Sequence, residues 1–404
     1  MKFIRPILAA LGAALLVSCG GGGGSSGAPT PPTGGGSSGG TATNPVTIRI
    51  VAFNDFHGAI APFGAPLQFR LEDGSTGSAL VGGAAWLADA VDRVKAQNPN
   101  TLVISAGDLV GASPAISARF LDEPTIGAMN RIGLDFNAVG NHEFDEGVAE
   151  LKRLQTGGCA AHTGQQPCAL ENFAGAQFRF LAANVRQGSA SLFPASATRQ
   201  FGSGADRVTI GIVGLTLEGT PAATSGSVAG LTFEDEAEAI NREAAALRSA
   251  GADAVIVAVH EGLIPSASNT IGGCDALSGP LRTILDRLDS GVDLIVSGHT
   301  HRAYICDYGT IDAARPMLVT SVQSSGRMFT DIELRVNAGL SRTQSAAATN
   351  VILQREGTGP GGQQVPPLPG RPVFVADPDV AAYVETYRQA AQTMIAAADE
   401  AELQ

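Results

Sequence analysis

The chain has 404 residues, 44% of them hydrophobic, with 26 Lys and Arg against 38 Asp and Glu, so its formal net charge is −12. That length and apolar content suffice for one large α/β core with accessory pieces. A basic footprint for a nucleic-acid polymer or an anionic membrane surface is missing, while a surplus of carboxylates suits a protein that collects divalent cations.

Residues 1–19 read as a targeting segment. Lys2 and Arg5 precede the apolar run PILAALGAALLV, and small residues lead to Cys19; the run is too short to span a bilayer as a helix. The ending LVSC resembles the bacterial lipoprotein box, which implies cleavage before Cys19 and lipidation of its sulfur. The protein would then be exported and held by acyl chains at the periplasmic face or the outer membrane. An ordinary signal peptide with a chance cysteine is the plainer alternative. Residues 20–44, rich in Gly, Ser and Pro, form a flexible tether with nothing to bury, so a domain is expected from Pro45.

From there strand-like and helix-like segments alternate. VTIRIVAFND (46–55) is a β-branched run, GGAAWLADAVDRVKAQN (82–98) has helical period, and TLVISAGD (101–108) reads as a buried strand followed by a polar turn. A helix near 123–133 leads to DFNAVGNHEFD (135–145). Then come VTIGIVGLT (208–216), a helix from about 234 to 250, ADAVIVAVHEG (252–262), a helix near 279–290 and VDLIVSGHTH (292–301). Such alternation argues a layered α/β fold with functional groups at the carboxyl ends of the strands. Beyond the Pro-rich stretch GPGGQQVPPLPGRP (359–372), a last helical segment begins at Asp377.

Apart from Cys19 the chain carries Cys159, Cys168, Cys274 and Cys306. In an exported protein an even count reads as disulfides. Three pairings are possible. Spacing favours Cys159 with Cys168 and Cys274 with Cys306, and a zinc site is disfavoured because short Cys pairs are lacking.

The strand ends carry similar cargo: Asp55 and His57 in NDFHG, Asp108 in AGD, Asn141 and His142 in GNHEFD, His260 in HEG, and His299 and His301 in GHTH. Five of the six histidines fall in these motifs, so scattered core histidines would require a repeated coincidence. Two cations held together need terminal ligands on each side and a shared carboxylate, for which Asp108 is the natural bridge. Mixed imidazole, carboxylate and amide ligands suit Mn, Zn, Fe or Co better than Ca or Mg. Gly58, Gly107, Gly140 and Gly298 fit tight turns beside the ligands.

In this order, NDFHG, GDLVGASP, GNHEFD, HEG and GHTH resemble the dinuclear metallophosphoesterase superfamily, specifically its bacterial 5′-nucleotidase branch. The resemblance implies a four-layer αββα sandwich of two mixed sheets flanked by helices, over about 45–365. One metal would take Asp55, His57, Asp108 and His301, and the other Asp108, Asn141, His260 and His299. His142 would face the phosphate as an acid, oriented by Asp145, while Glu143 and Phe144 read as packing or support. The implied activity is hydrolysis of nucleoside 5′-monophosphates or 2′,3′-cyclic nucleotides by attack of a metal-bridging hydroxide. The partner would be a small-molecule nucleotide or phosphate ester, and the protein a monomer. Two alternatives stay open: a sibling thiosulfohydrolase acting on a sulfur-linked carrier, and a non-catalytic, surface-anchored metal-binding module. Two departures stand out. Trp86 lies where relatives often place an arginine, and the relatives' C-terminal substrate domain is expected to be missing, with residues 366–404 as connector and terminal helix.

Overall fold

A computed structural model describes residues 44–402 apart from Ser341; the signal segment, Cys19 and the tether before Asn44 lie outside the described residues. β1 (Val46–Phe53) shows how the layers arise. Thr47 and Arg49 are partly exposed, but every residue from Ile50 to Phe53 is buried, so the strand enters the sheet half-solvated and finishes covered on both faces. With β2 (Thr101–Ser105), β3 (Phe136–Ala138) and β4 (Arg179–Leu181) it forms a parallel set.

A second parallel set comprises β6 (Val208–Leu215), β7 (Ala254–Val259), β8 (Leu294–Ser297) and β10 (Leu318–Ser321). Antiparallel strands complete both sheets: β5 (Ser196–Phe201) and β9 (Tyr304–Asp307) flank the second, while β11 (Met328–Val336) and β12 (Thr343–Ile352) extend the first beyond β1. The two six-stranded orders are β12-β11-β1-β2-β3-β4 and β9-β10-β8-β7-β6-β5. Both are mixed sheets, as expected.

Period-two alternation then builds three apolar clusters. Ile48, Ile50 and Ile104 of the first sheet meet Ile210, Ile212, Ile256 and Leu294 of the second. The alternate residues face outward. Val51, Phe53 and Val103 pack under α1 (Ala84–Gln97), α2 (Glu123–Ile132) and α6 (Pro378–Glu402), along with residues near α3 (Gly147–Thr156). Val213, Val255 and Ile295 pack under α4 (Glu236–Ser249) and α5 (Pro280–Leu285). Three clusters between four layers make an αββα sandwich. Each fully buried aliphatic side chain contributes roughly 1.5–3 kcal/mol.

Three features differ from the sequence expectation or add to it. The β11–β12 hairpin was not legible, because the outer strand reads TQSAAATNVI and leaves most positions at least partly exposed. The helix expected over 279–290 stops at Leu285, where Asp286 accepts bonds from Tyr308 Oη and Arg282. The last helix buries Val380, Val384, Tyr387 and Ala391 against the cluster of the first sheet, so its apolar stripe has a partner within the domain. Cysteine pairing follows the spacing: Cys159 joins Cys168 with Cα atoms 5.5 Å apart, and Cys274 joins Cys306 at 5.2 Å. Among the described residues no helix is long and apolar enough to cross a membrane.

Candidate metal centre

Every candidate ligand sits just past the carboxyl end of a parallel strand: β1, β2 and β3 in one sheet, β7 and β8 in the other. Backbone bonds knit these ends together. The Asp55 N–H donates to Gly107 O at 3.0 Å, the His57 N–H to Asp108 O at 2.9 Å, and the His299 N–H reaches the Asp55 carboxylate at 3.0–3.1 Å. Five of the seven candidate ligands, Asp55, His57, Asp108, His299 and His301, hold φ between 48° and 66°. L-residues visit that left-handed region rarely, and strain of this kind persists where the surroundings over-determine it. Gly140 admits no side chain, since a Cβ there would lie 2.2 Å from Asp108 Oδ1. A Cβ on Gly107 would lie 2.6 Å from His260 Nδ1.

Two groups of side chains could hold a metal ion: Asp55, His57 and His301, and Asp108, His260 and His299, with the donor atoms of each group within 4.8 Å of one another. Asp108 Oδ2 lies between them, 2.9 Å from His260 Nε2 and 3.9 Å from His57 Nε2. Asn141 joins the second group, its Oδ1 at 3.1 Å from His260 Nε2. The sixth histidine, His162, is exposed on the loop between Cys159 and Cys168.

Tautomers test whether these residues fit a cation. His57 Nδ1 lies 2.9 Å from Gly111 O, and His260 Nδ1 lies 2.8 Å from Ala106 O. A carbonyl can only accept, so each Nδ1 carries a proton, and each Nε2 is the atom left to hold either a second proton or a metal ion. His57 Nε2 faces His301 Nε2 at 3.1 Å, and His260 Nε2 faces the oxygens of Asp108 and Asn141. Nitrogens and oxygens gathered this closely need a positive charge among them, a proton or a metal ion, and the donor set therefore fits a metal. Burial disfavours an imidazolium at His260, but the Asp108 carboxylate outweighs burial and holds it up at about 10. A proton thus answers the same field that a metal ion would. Burial raises Asp108, but the charge and hydrogen bond of His260 hold it well below the usual carboxylate range. Burial, with His260 nearby, pushes His299 down toward the neutral form that ligates.

His142 stands apart from these groups. Its Nδ1 contacts Asp145 Oδ2 at 2.6 Å, and its ring meets the His57 ring edge-on at 5.2 Å. The bond to Asp145 raises its pKa above the usual histidine value. Asp145 is fixed in turn, since its Oδ1 accepts from Thr224 Oγ1 and the Ser225 N–H, both at 3.1 Å.

Two neighbours of the motifs proved more informative in the structure than in the sequence. Glu143 accepts from the N–H groups of Asp108 (3.0 Å), Leu109 (2.8 Å) and Gly140 (2.5 Å) and from Asn137 Nδ2 (3.2 Å). It pins the turns after β2 and β3 to each other. Burial and the Asp108 charge lift its pKa to about 7 despite those donors. Asn54 donates to Asp55 Oδ2 at 2.6 Å and to Val322 O at 3.0 Å, orienting the carboxylate. The one signal in the sequence for both was a polar residue inside a ligand motif. At Trp86, in place of the expected arginine, the Arg355 guanidinium lies 5.3 Å over the indole ring.

Residues 48–303 match the calcineurin-like phosphoesterase family. A protein of Acinetobacter calcoaceticus, described as an uncharacterized protein in the pqq-V 5′ region, is 49% identical over 162 residues, or 39% of this chain and 79% of that protein. A probable 5′-nucleotidase of Treponema pallidum is 29% identical over 260 residues, or 63% of this chain and 36% of that protein. The crystal structure of a 5′-nucleotidase precursor from Thermus thermophilus superposes with a TM-score of 0.62 at 20% identity, covering 87% of this chain and 60% of that one. At that identity the likeness is one of fold. The match thus spans only 36% of the Treponema protein's length and 60% of the Thermus chain.

Proposed function

The chain belongs to the calcineurin-like phosphoesterase family, and from that premise we propose that it hydrolyses nucleotide phosphate esters, of the 5′-nucleotidase or 2′,3′-cyclic nucleotide type. One observation carries the reading: the Nε2 atoms of His57 and His260 both approach Asp108 Oδ2, at 3.9 and 2.9 Å, while a non-ligand acid pair, His142 and Asp145, stands beside them. A purely structural metal site has no use for such a pair.

In this reading Asp55, His57, Asp108 and His301 hold one divalent ion, and Asp108, Asn141, His260 and His299 hold a second, with Mn, Zn, Co or Fe best matched to the donors. Such ions, when bound, supply Lewis-acid charge toward a phosphoryl oxygen and make water a nucleophile at neutral pH. The protein's part is positional. Asn54 and Glu143 hold the strand ends so that the carboxylates cannot turn away. His142 keeps its proton on Nδ1 toward Asp145, which leaves Nε2 to hold or deliver a proton at the phosphate. Asp145 steadies the charge that results. The disulfides and the LVSC segment support export and a lipid anchor; a monomer acting on small-molecule esters completes the proposal.

The test is a panel of AMP, a 2′,3′-cyclic nucleotide, p-nitrophenyl phosphate and a peptide-linked thiosulfonate, each with and without chelator. Chelator-sensitive release of phosphate from the nucleotides is expected. Turnover of the thiosulfonate alone would replace this reading with the thiosulfohydrolase one.

A further inference from the structure

On the flank where His301 reaches solvent, its side chain 48% exposed, a cavity of about 300 Å³ opens beside the strand Leu67–Arg70, the 265–271 loop and the 301–303 turn. That volume is at the lower end for small-ligand sites, about 300–1,000 Å³. Its frame is built. The Ile271 N–H donates to Arg70 O at 2.9 Å, Asn269 Nδ2 donates to Ala303 O at 2.9 Å, and the Ile305 N–H donates to Gly273 O at 3.2 Å. Cys274–Cys306 ties this loop to β9.

Arg70 and Arg302 both line the cavity with His301. Many arginines of this acidic chain face carboxylates, as Arg93 does Asp89, Arg186 does Glu234 and Arg282 does Asp286. Arg70 and Arg302 form no ion pair among the described residues. The smaller cavity lined by His142 differs: it carries Asp122, Asp145, Glu146 and Glu150 and no arginine. A further phosphate on a substrate at the centre would therefore find arginines in the cavity beside His301 and none in the one beside His142. The guanidinium fork matches phosphate geometry.

We propose that this cavity is a second anion subsite, in which Arg70 and Arg302 hold a phosphate of the substrate other than the one being hydrolysed. The favoured substrate class is then a phosphate ester that carries a further phosphate. This rests on the phosphoesterase reading above.

Calorimetric titration of the metal-loaded protein with propylphosphonate and with propane-1,3-bisphosphonate tests it, since neither has an ester to cleave. The bisphosphonate should bind roughly 10- to 100-fold tighter, the scale of one added charge-assisted contact. Arg70→Ala and Arg302→Ala should each bring that ratio toward one, and Arg70→Lys and Arg302→Lys should restore part of it. Equal affinity for the two probes, or a ratio that survives both alanine variants, overturns the subsite and leaves the phosphoesterase reading standing. If propylphosphonate itself fails to bind and p-nitrophenyl phosphate is not turned over, both readings fall.

Discussion

His142 Nδ1 lies 2.6 Å from Asp145 Oδ2, and that contact is the largest influence on the imidazole, raising its pKa. An acid in this position works only while protonated, so activity falls as pH rises through its pKa. Asp145→Asn removes the carboxylate, lowers that pKa and should move the alkaline limb of the kcat/KM profile to lower pH. Metal content measured on the same samples should be unchanged. An alkaline limb left in place would remove Asp145 from the proposed pair.

His142→Asn separates acid from ligand. Loss of a general acid lowers kcat by roughly 10²–10⁴, with the bound metal retained, whereas His299→Asn should lose metal first. Elemental analysis beside single-turnover kinetics distinguishes the two. A metal-depleted His142→Asn protein of normal intrinsic rate would reverse the assignments.

Glu143 offers a third test, because four donors converge on its carboxylate. Glu143→Gln replaces one accepting oxygen with an NH₂ that must face N–H groups. The expected loss is roughly 1–3 kcal/mol of stability and 10- to 100-fold in metal affinity, the scale for losing support behind a ligand. Urea denaturation and a chelator competition read the two effects. An unperturbed metal affinity would show that Glu143 serves packing alone.

The candidate ligands were easier to pick out in the sequence than the outer strands. The candidate ligands stand out because Asp55, Asp108, Asn141, His260 and His299 each follow an apolar parallel strand, and such strands are hydrophobic runs that a single sequence reveals. The β11–β12 hairpin stayed hidden because an outer strand with one wet face and small residues has little pattern to show. Glu143 was expected only as packing or support, because two of its donors, the N–H groups of Asp108 and Leu109, come from a turn more than thirty residues away, which no local spacing encodes. Arg70 and Arg302 share a cavity only after the sheets have assembled.

The longer disulfide closes a separation of 32 residues. Loop-closure entropy puts its contribution at about 3–4 kcal/mol, so Cys274→Ser with Cys306→Ser should lower the denaturation midpoint measured under oxidising conditions. Under reducing conditions the difference from the wild-type chain should vanish. A difference that persists in reductant would mean that packing of the sulfurs, rather than the cross-link, is responsible.

Asp108 joins the two candidate groups, with Oδ2 at 2.9 Å from His260 Nε2 and 3.9 Å from His57 Nε2. The most direct measurement is therefore metal stoichiometry by elemental analysis of wild-type and Asp108→Asn protein, taken with turnover of AMP on the same preparations. A shared carboxylate predicts two divalent equivalents in the wild type, one or fewer in the variant, and a rate lower by roughly 10²-fold or more. An Asp108→Asn protein that keeps two tightly bound equivalents and hydrolyses AMP at near the wild-type rate would contradict the account.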